Sequence, residues 1–462
     1  MFDRHTRMAV VSAAASVLAL TGGCTVGPDY KQPATASPAA FAVTAPATRP
    51  TSGPTFRTDE EPVTRWWAAF GDPVLTGLAD DALGHNWDVA RARANLREAR
   101  ELLVQSRFEQ APIVTADGGY QRQRFSRPNA FGADRNRDLY SAGFDATWEL
   151  DLFGGLRREV EARRAEVQRG DEQLRFVRLS VVAELAYNYA DLRGSQESLR
   201  IARENADNQR RTHQLTLDLL NGGRGTVLDS SRAKSQLETT LATIPALERA
   251  VELAAYRLSV LTGRPPAALV GTLRDAPAAL PGVPRMVAIG DPAGMIRRRP
   301  DVRVAERTLA AATARVGVQT ADLYPRLTFV GSFGGEATQL GNLGRGSDAF
   351  GFGPRLTWAA FDLGRVQARV RAAGAAADAQ AAGFQQAVLS ALEEVQAALA
   401  GYAFEAARLS HLIEAEASSR VASDLARQSY ENGGIGDFLS VLDAERRVLE
   451  SQQAVADSRT QT

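Results

Sequence analysis

The sequence has little with which to build a disulfide-braced, metal-binding or nucleic-acid-binding protein. Cys24 is its only cysteine, so neither an internal disulfide nor a cysteine-rich zinc or iron–sulfur site can form. The four histidines, His5, His85, His213 and His411, stand far apart and leave no HExxH motif or histidine cluster. Neither sign of charge dominates: 54 Lys and Arg face 54 Asp and Glu, a balance that argues against nucleic acid as a partner. Aromatic residues make up 7%, thin for the two or three globular cores that 462 residues would suggest. No stretch beyond the N-terminus reaches about 18 apolar residues, so no later helix spans a bilayer. The run Gly222-Gly223-Arg224-Gly225 lacks the Lys-Ser/Thr ending of a phosphate loop, and Glu393-Glu394 reads as a solvated pair on a helix. The chain is therefore expected to be no enzyme and to carry no cofactor and no metal.

What precedes Cys24 sets the compartment. Arg4 and Arg7 lead into an apolar run at residues 8–20, too short to cross a bilayer as a helix, and the small residues Thr21, Gly22 and Gly23 follow. Residues 1–23 read as a lipoprotein signal, with the Cys24 thiol acylated and the chain cut just before it; an ordinary signal with a spare cysteine is the alternative. Residues 24–60 hold Pro33, Pro38, Pro46, Pro50 and Pro54 among Ala and Thr. Too poor in large apolar side chains to fold alone, this segment is expected to be an extended tether between lipid and body.

Two stretches without proline define the architecture. None occurs between Pro128 and Pro245 or after Pro354, and within these lie helix-like runs at 156–220 and 365–431. At 1.5 Å per residue each helix could reach roughly 100 Å. Leu174, Val177, Val181, Leu185, Leu192 and Leu199 recur at steps of 3, 4, 4, 7 and 7, a narrow seam of coiled-coil type. The two stretches also repeat one plan. Asp151-Leu152 recurs as Asp362-Leu363, and Asn221-Gly222-Gly223-Arg224-Gly225 as Asn432-Gly433-Gly434-Ile435-Gly436, both at an offset of 211. A tandem duplication follows, with a first repeat at 61–264, a proline-rich connector at 265–297 and a second repeat at 298–462.

A period of two precedes each long helix. Tyr140, Ala142, Phe144, Ala146, Trp148 and Leu150 alternate with polar or small residues, as Phe350, Phe352, Leu356 and Trp358 do in the second repeat. Partner strands at 113–125 and 327–335, joined through loops at 126–137 and 336–347, complete hairpins at 112–151 and 326–361. A soluble hairpin packed on a helix accounts for either pair alone. Two matching pairs in an exported, lipidated chain point instead to membrane strands, and four strands cannot close a barrel in lipid. Two copies would give eight strands around a filled interior, and three would give twelve with room for a lumen. The fold class expected is mainly α with a membrane β-barrel portion, built from a duplicated helix and hairpin.

Several motifs then carry a resemblance. Cys24-Thr25-Val26-Gly27-Pro28-Asp29-Tyr30, Trp66-Trp67, Phe70-Gly71-Asp72-Pro73, Arg298-Arg299-Pro300-Asp301-Val302, Ala321-Asp322-Leu323-Tyr324-Pro325 and Leu442-Asp443-Ala444 together resemble the outer-membrane efflux lipoproteins of the TolC/OprM type, or NodT family. The resemblance covers essentially the whole mature chain. It implies a homotrimer with a 12-stranded barrel in the outer membrane and a long α-helical barrel across the periplasm. Such a duct would receive substrate from an inner-membrane RND-type pump through a periplasmic adaptor.

The turns at Asn221, Gly222, Gly223 and Gly225 and at Asn432, Gly433, Gly434 and Gly436 would reverse the long helices at the periplasmic tip, where the adaptor would dock. Glycine and asparagine tolerate the positive φ such reversals need. By resemblance, Leu439 and Asp443 would line the constriction, three carboxylates making an acidic ring that favours cations. The chain departs from the family's spacing by one residue between Tyr430 and Asp443, which leaves Asp437 open as a helix N-cap. Two other readings stand beside this one: a lipid-anchored periplasmic coiled-coil scaffold, and a duct for type I protein secretion or metal export.

Overall fold

Aspartate followed by proline starts one helix in each half of the chain. The computed structural model describes residues 25–35, 37–42, 55–60, 64–126, 135–275, 280–282, 286–344, 346–431 and 438–462. In chain order the first repeat runs β1 (Thr55–Arg57), α1 (Pro73–His85), α2 (Trp87–Phe108), β2 (Ile113–Arg124), β3 (Asn136–Leu150), α3 (Gly155–Asn221) and α4 (Val227–Leu261). Then come α5 (Val270–Asp275), β4 (Met286–Ala288), α6 (Pro292–Arg298), α7 (Pro300–Ala321), β5 (Arg326–Ala337), β6 (Asp348–Thr357), α8 (Leu363–Glu431) and α9 (Phe438–Gln461). At α1 the Asp72 carboxylate accepts from the amides of Val74 and Leu75, and proline fills the first position, where no amide is needed. At α6 Asp291 accepts from the Gly294 amide, again with proline, Pro292, at the first position. This second cap lies inside the stretch expected to be only a connector, which also contributes β4.

The chain forms two compact units. The first, 1–35, 94–173 and 300–387, holds a four-stranded antiparallel sheet in the order β2-β3-β5-β6. Its register sets Tyr120 opposite Tyr140, Phe144 opposite Phe333, Trp148 opposite Phe329 and Phe333 opposite Phe350. Side chains on directly paired residues share a face, so one side of the whole sheet carries Val114, Tyr120, Phe144, Trp148, Phe329, Phe333, Phe352 and Leu356. The other carries Thr115, Asp117, Ser141, Asp145, Thr328, Ser332 and Arg355. The apolar face is bare, with Phe352 84% exposed. The strands pair as two hairpins, and β5 reaches Ala337, inside the loop expected at 336–347, because Glu336 and Ala337 pair with Ser141 and Tyr140 of β3.

The two halves of this unit repeat their joints. Trp148 Nε1 donates to the Gln110 carbonyl at 3.0 Å and Trp358 Nε1 to the Leu323 carbonyl at 3.1 Å, each acceptor three residues before a first strand. The repeated Asp-Leu pair marks the helix starts. Asp151 accepts from the amides of Leu156 and Arg157, and the Asp362 carbonyl accepts from those of Arg365 and Val366.

The second unit, 36–93, 174–299 and 388–462, is helical apart from a parallel pairing of β1 with β4. Within it Val181, Leu185 and Leu192 of the expected seam are buried, while Leu199 is half-buried. The seam's steps of seven conceal polar members. Tyr189 is 0% exposed, and its hydroxyl donates to Asp72 Oδ2 at 2.6 Å while accepting from Arg193 Nη2 at 2.9 Å. Arg193 Nη1 donates to Gln196 Oε1, and Gln196 Nε2 donates to the Leu273 carbonyl, so the same Asp72 that caps α1 also anchors α3. Burial, followed by the Asp72 hydrogen bond, pushes the Tyr189 hydroxyl up to about 12.

The segment expected to be an extended tether touches the body at several places. The Val26 amide donates to the Phe153 carbonyl, Phe41 is buried, and residues 55–57 form β1. A sequence unable to fold alone can still satisfy its backbone on a surface that others have built.

Candidate functional site

The expected constriction residues sit on α9, and periodicity alone explains which face they take. Phe438 and Val441 are buried and pack with Ala233, Tyr430 and Leu442, the Phe438 and Tyr430 rings 5.3 Å apart. Glu445, one turn on, is buried on the same face. A helix that buries positions i, i+3 and i+7 presents i+1 and i+5 outward. Leu439, 51% exposed, and Asp443 therefore project together into an open groove shared with Ser418, Ser419 and Ala422 of α8 and with Arg447.

The Asp443 carboxylate is not alone. Arg446 Nη2 donates to its Oδ1 at 2.7 Å and Arg447 Nε to its Oδ2 at 3.0 Å, from three and four residues along the helix. Arg447 first, then Arg446, holds the carboxyl below the usual carboxylate range. The acidic ring expected from Asp443 would therefore carry guanidinium partners on each chain, Arg446 and Arg447, with Glu450 in turn 3.8 Å from Arg446 Nε. The i,i+3 and i,i+4 spacing was the available signal.

Below that turn α9 is cross-linked to its neighbours. Glu445 Oε1 accepts from Thr212 Oγ1 of α3 at 2.8 Å and from Arg427 Nη2 of α8 at 2.9 Å. Neither the seam nor the repeat pointed to this triad, whose members are separated by up to 233 residues.

The first tip turn folds as a reversal. The amides of Gly222, Gly223, Arg224 and Gly225 donate back to Asp218, Leu220 and, twice, Leu219 carbonyls, and the Thr226 hydroxyl caps α4 through the Asp229 amide. Only Gly223 uses positive φ, at 76°. Gly225 is required for space, since a Cβ there would lie 2.9 Å from the Leu220 nitrogen. Asn221 is the last residue of α3 and Gly222 has an ordinary φ, so the glycines do different jobs. Cys24, Asn432, Gly433, Gly434, Gly436 and Asp437 lie outside the described residues.

Among the described residues no helix is long and apolar enough to cross a membrane, and no three His, Cys, Asp or Glu side chains form a metal-binding group. The sheet is what offers an apolar surface, and its edges are β2 and β6.

Comparison with known proteins agrees with this architecture. The family described as "Outer membrane efflux protein" matches residues 78–264 and 294–462. Nodulation protein T of Rhizobium leguminosarum bv. trifolii is 28% identical over 446 residues, 95% of this chain and 91% of that protein. The toluene efflux pump outer membrane protein TtgI of Pseudomonas putida is 28% identical over 448 residues, 96% of this chain and 93% of that one. Among solved structures, the outer-membrane channel OprN superposes with a TM-score of 0.86 at 39% identity, covering 95% of this chain and 96% of its own.

Proposed function

Because the chain belongs to the outer membrane efflux protein family, we propose that it is the outer-membrane exit duct of a tripartite efflux system, working as a passive homotrimer. One observation carries this reading: a four-stranded sheet with one bare apolar face and one polar face ends in two edges, β2 and β6. Lipid cannot satisfy the backbone groups of an open edge. Pairing β6 of one copy with β2 of the next removes every edge, and three copies close twelve strands around a lumen lined by Thr115, Asp117, Asp145 and Ser332. A periplasmic coiled-coil scaffold would have no use for such a face on both hairpins.

Cys24 carries the acyl anchor in this reading. The duct narrows at Leu439 and Asp443, and the turns around Gly223 and Gly434 meet a periplasmic adaptor that links it to an inner-membrane RND-type pump. TtgI is named for toluene efflux, and small toxic compounds are the substrate class we assign here. Reconstitution into planar bilayers tests the reading. The purified protein should run as a trimer and give small channels that widen when Leu439 and Asp443 are both replaced by alanine. A monomer without conductance overturns it.

A further inference from the structure

The motif that follows Cys24 has a receptor. Thr25 to Tyr30 lie along the foot of the first unit's sheet and its helices, and five polar atoms of the strap have hydrogen-bond partners there. The Val26 amide donates to the Phe153 carbonyl at 3.1 Å. Arg158, 3% exposed on the first turn of α3, donates from Nε to the Val26 carbonyl at 3.1 Å and from Nη2 to the Gly27 carbonyl at 3.3 Å and to Asp29 Oδ1 at 2.7 Å. Its remaining nitrogen, Nη1, is held by Glu161 at 2.7 Å. Farther along, the Tyr30 hydroxyl donates to Glu306 Oε1 at 3.1 Å, and its ring packs on Ala165, Ala310 and Ala311.

Three glycines make the fit possible. Gly27, at φ +87°, approaches α7 so closely that a Cβ would fall 2.5 Å from the Gly317 Cα. A Cβ on Gly317 would strike the Arg158 side chain at 2.8 Å, and one on Gly154, at φ +81°, would strike Thr25 Cγ2 at 2.6 Å. Gly154 is the residue before α3, and beside it Phe153 stacks on Tyr324 at 4.5 Å. A buried guanidinium that gives three of its four hydrogen bonds to one short peptide, two to backbone carbonyls and one to a carboxylate, is a peptide-binding group, since a guanidinium left there unpaired would be costly.

We propose that residues 25–30 are a self-docking strap, that Arg158 is the receptor which holds it, and that the seat fixes the lipid on Cys24 at the foot of the hairpins. The part concerning lipid rests on the reading of Cys24 above. One peptide unit, about 3.8 Å between Cα atoms, separates Cys24 from Thr25, so the anchor has almost no leash. The seat holds peptide, and it holds it with or without the acyl group.

Hydrogen exchange on the full-length protein in detergent tests this. The peptide covering residues 25–31 should be protected at least tenfold over an unstructured segment. Gly27→Ala and Asp29→Ala, both on the terminal strap where they leave the body intact, should each speed its exchange severalfold, and Arg158→Met at least tenfold, while the peptide covering 136–150 stays unchanged. Cys24→Ser should keep the strap protected. An unprotected strap in the parent protein, protection untouched by all three seat variants, or loss of protection in Cys24→Ser equal to that in Arg158→Met overturns the proposal. Intact mass reports separately whether Cys24 carries lipid. Absence of lipid removes the anchoring role and leaves the seat to be judged by the exchange data.

Discussion

Replacing Thr212 with valine should loosen α9 without unfolding the protein. The hydroxyl it deletes donates to Glu445 Oε1 at 2.8 Å, and the two residues are 7% and 6% exposed. A hydrogen bond to a charged group in such surroundings contributes about 1.5–3 kcal/mol. Breaking a buried ion pair outright costs about 3–5 kcal/mol, but Arg427 still reaches the carboxylate and is a third exposed, so the lower range applies. At 1.4 kcal/mol per tenfold, exchange of the amides in α9 should rise about 10- to 150-fold. Hydrogen exchange followed by mass spectrometry reads this on peptides from residues 438–450, with α1 as the internal reference. Thr212→Ser keeps the hydroxyl and should restore the parent rate. A change below about threefold in α9, or an equal acceleration in α1, would refute the assignment of Thr212 and Glu445 as a local fastener.

Three further outcomes follow from the geometry. Asp443, held below the usual carboxylate value of about 3.9, stays ionised above it and loses its contribution only as pH falls through the lower value. Reversal potentials in asymmetric KCl should therefore be flat from about pH 8 to 5, Asp443→Asn should shift them toward anions, and Arg446→Ala with Arg447→Ala should shift them toward cations. Tyr189 and Tyr30 are both raised to about 12 from the usual value near 10, so the stability tied to them is whole below about pH 10 and is lost as pH climbs towards 12. The urea midpoint should fall across that window, and less so in the double variant Tyr189→Phe and Tyr30→Phe. On the apolar face of β6, Phe352→Arg should cost about 2–4 kcal/mol if it faces the middle of a bilayer. Folding yield into lipid vesicles should drop for it, whereas Ser332→Arg on the opposite face should insert normally.

The sequence by itself determined the elements, because helix and strand periods are local properties of the backbone. The expected helices at 156–220 and 365–431 became Gly155–Asn221 and Leu363–Glu431, and both hairpins emerged with their alternation intact. It also placed Leu439 and Asp443 on one turn and the reversal at Gly223. What only the tertiary structure decided is which polar side chains are buried and what they hold. Arg158 reaches a strap 129 residues away, Glu445 a hydroxyl 233 residues away and Asn205 an amide 247 residues away. An arginine or glutamate on an amphipathic helix looks solvated until its partner is known. A proline-rich segment looks free until the surface that accepts its carbonyls has formed, since only that surface can repay the desolvation of both groups.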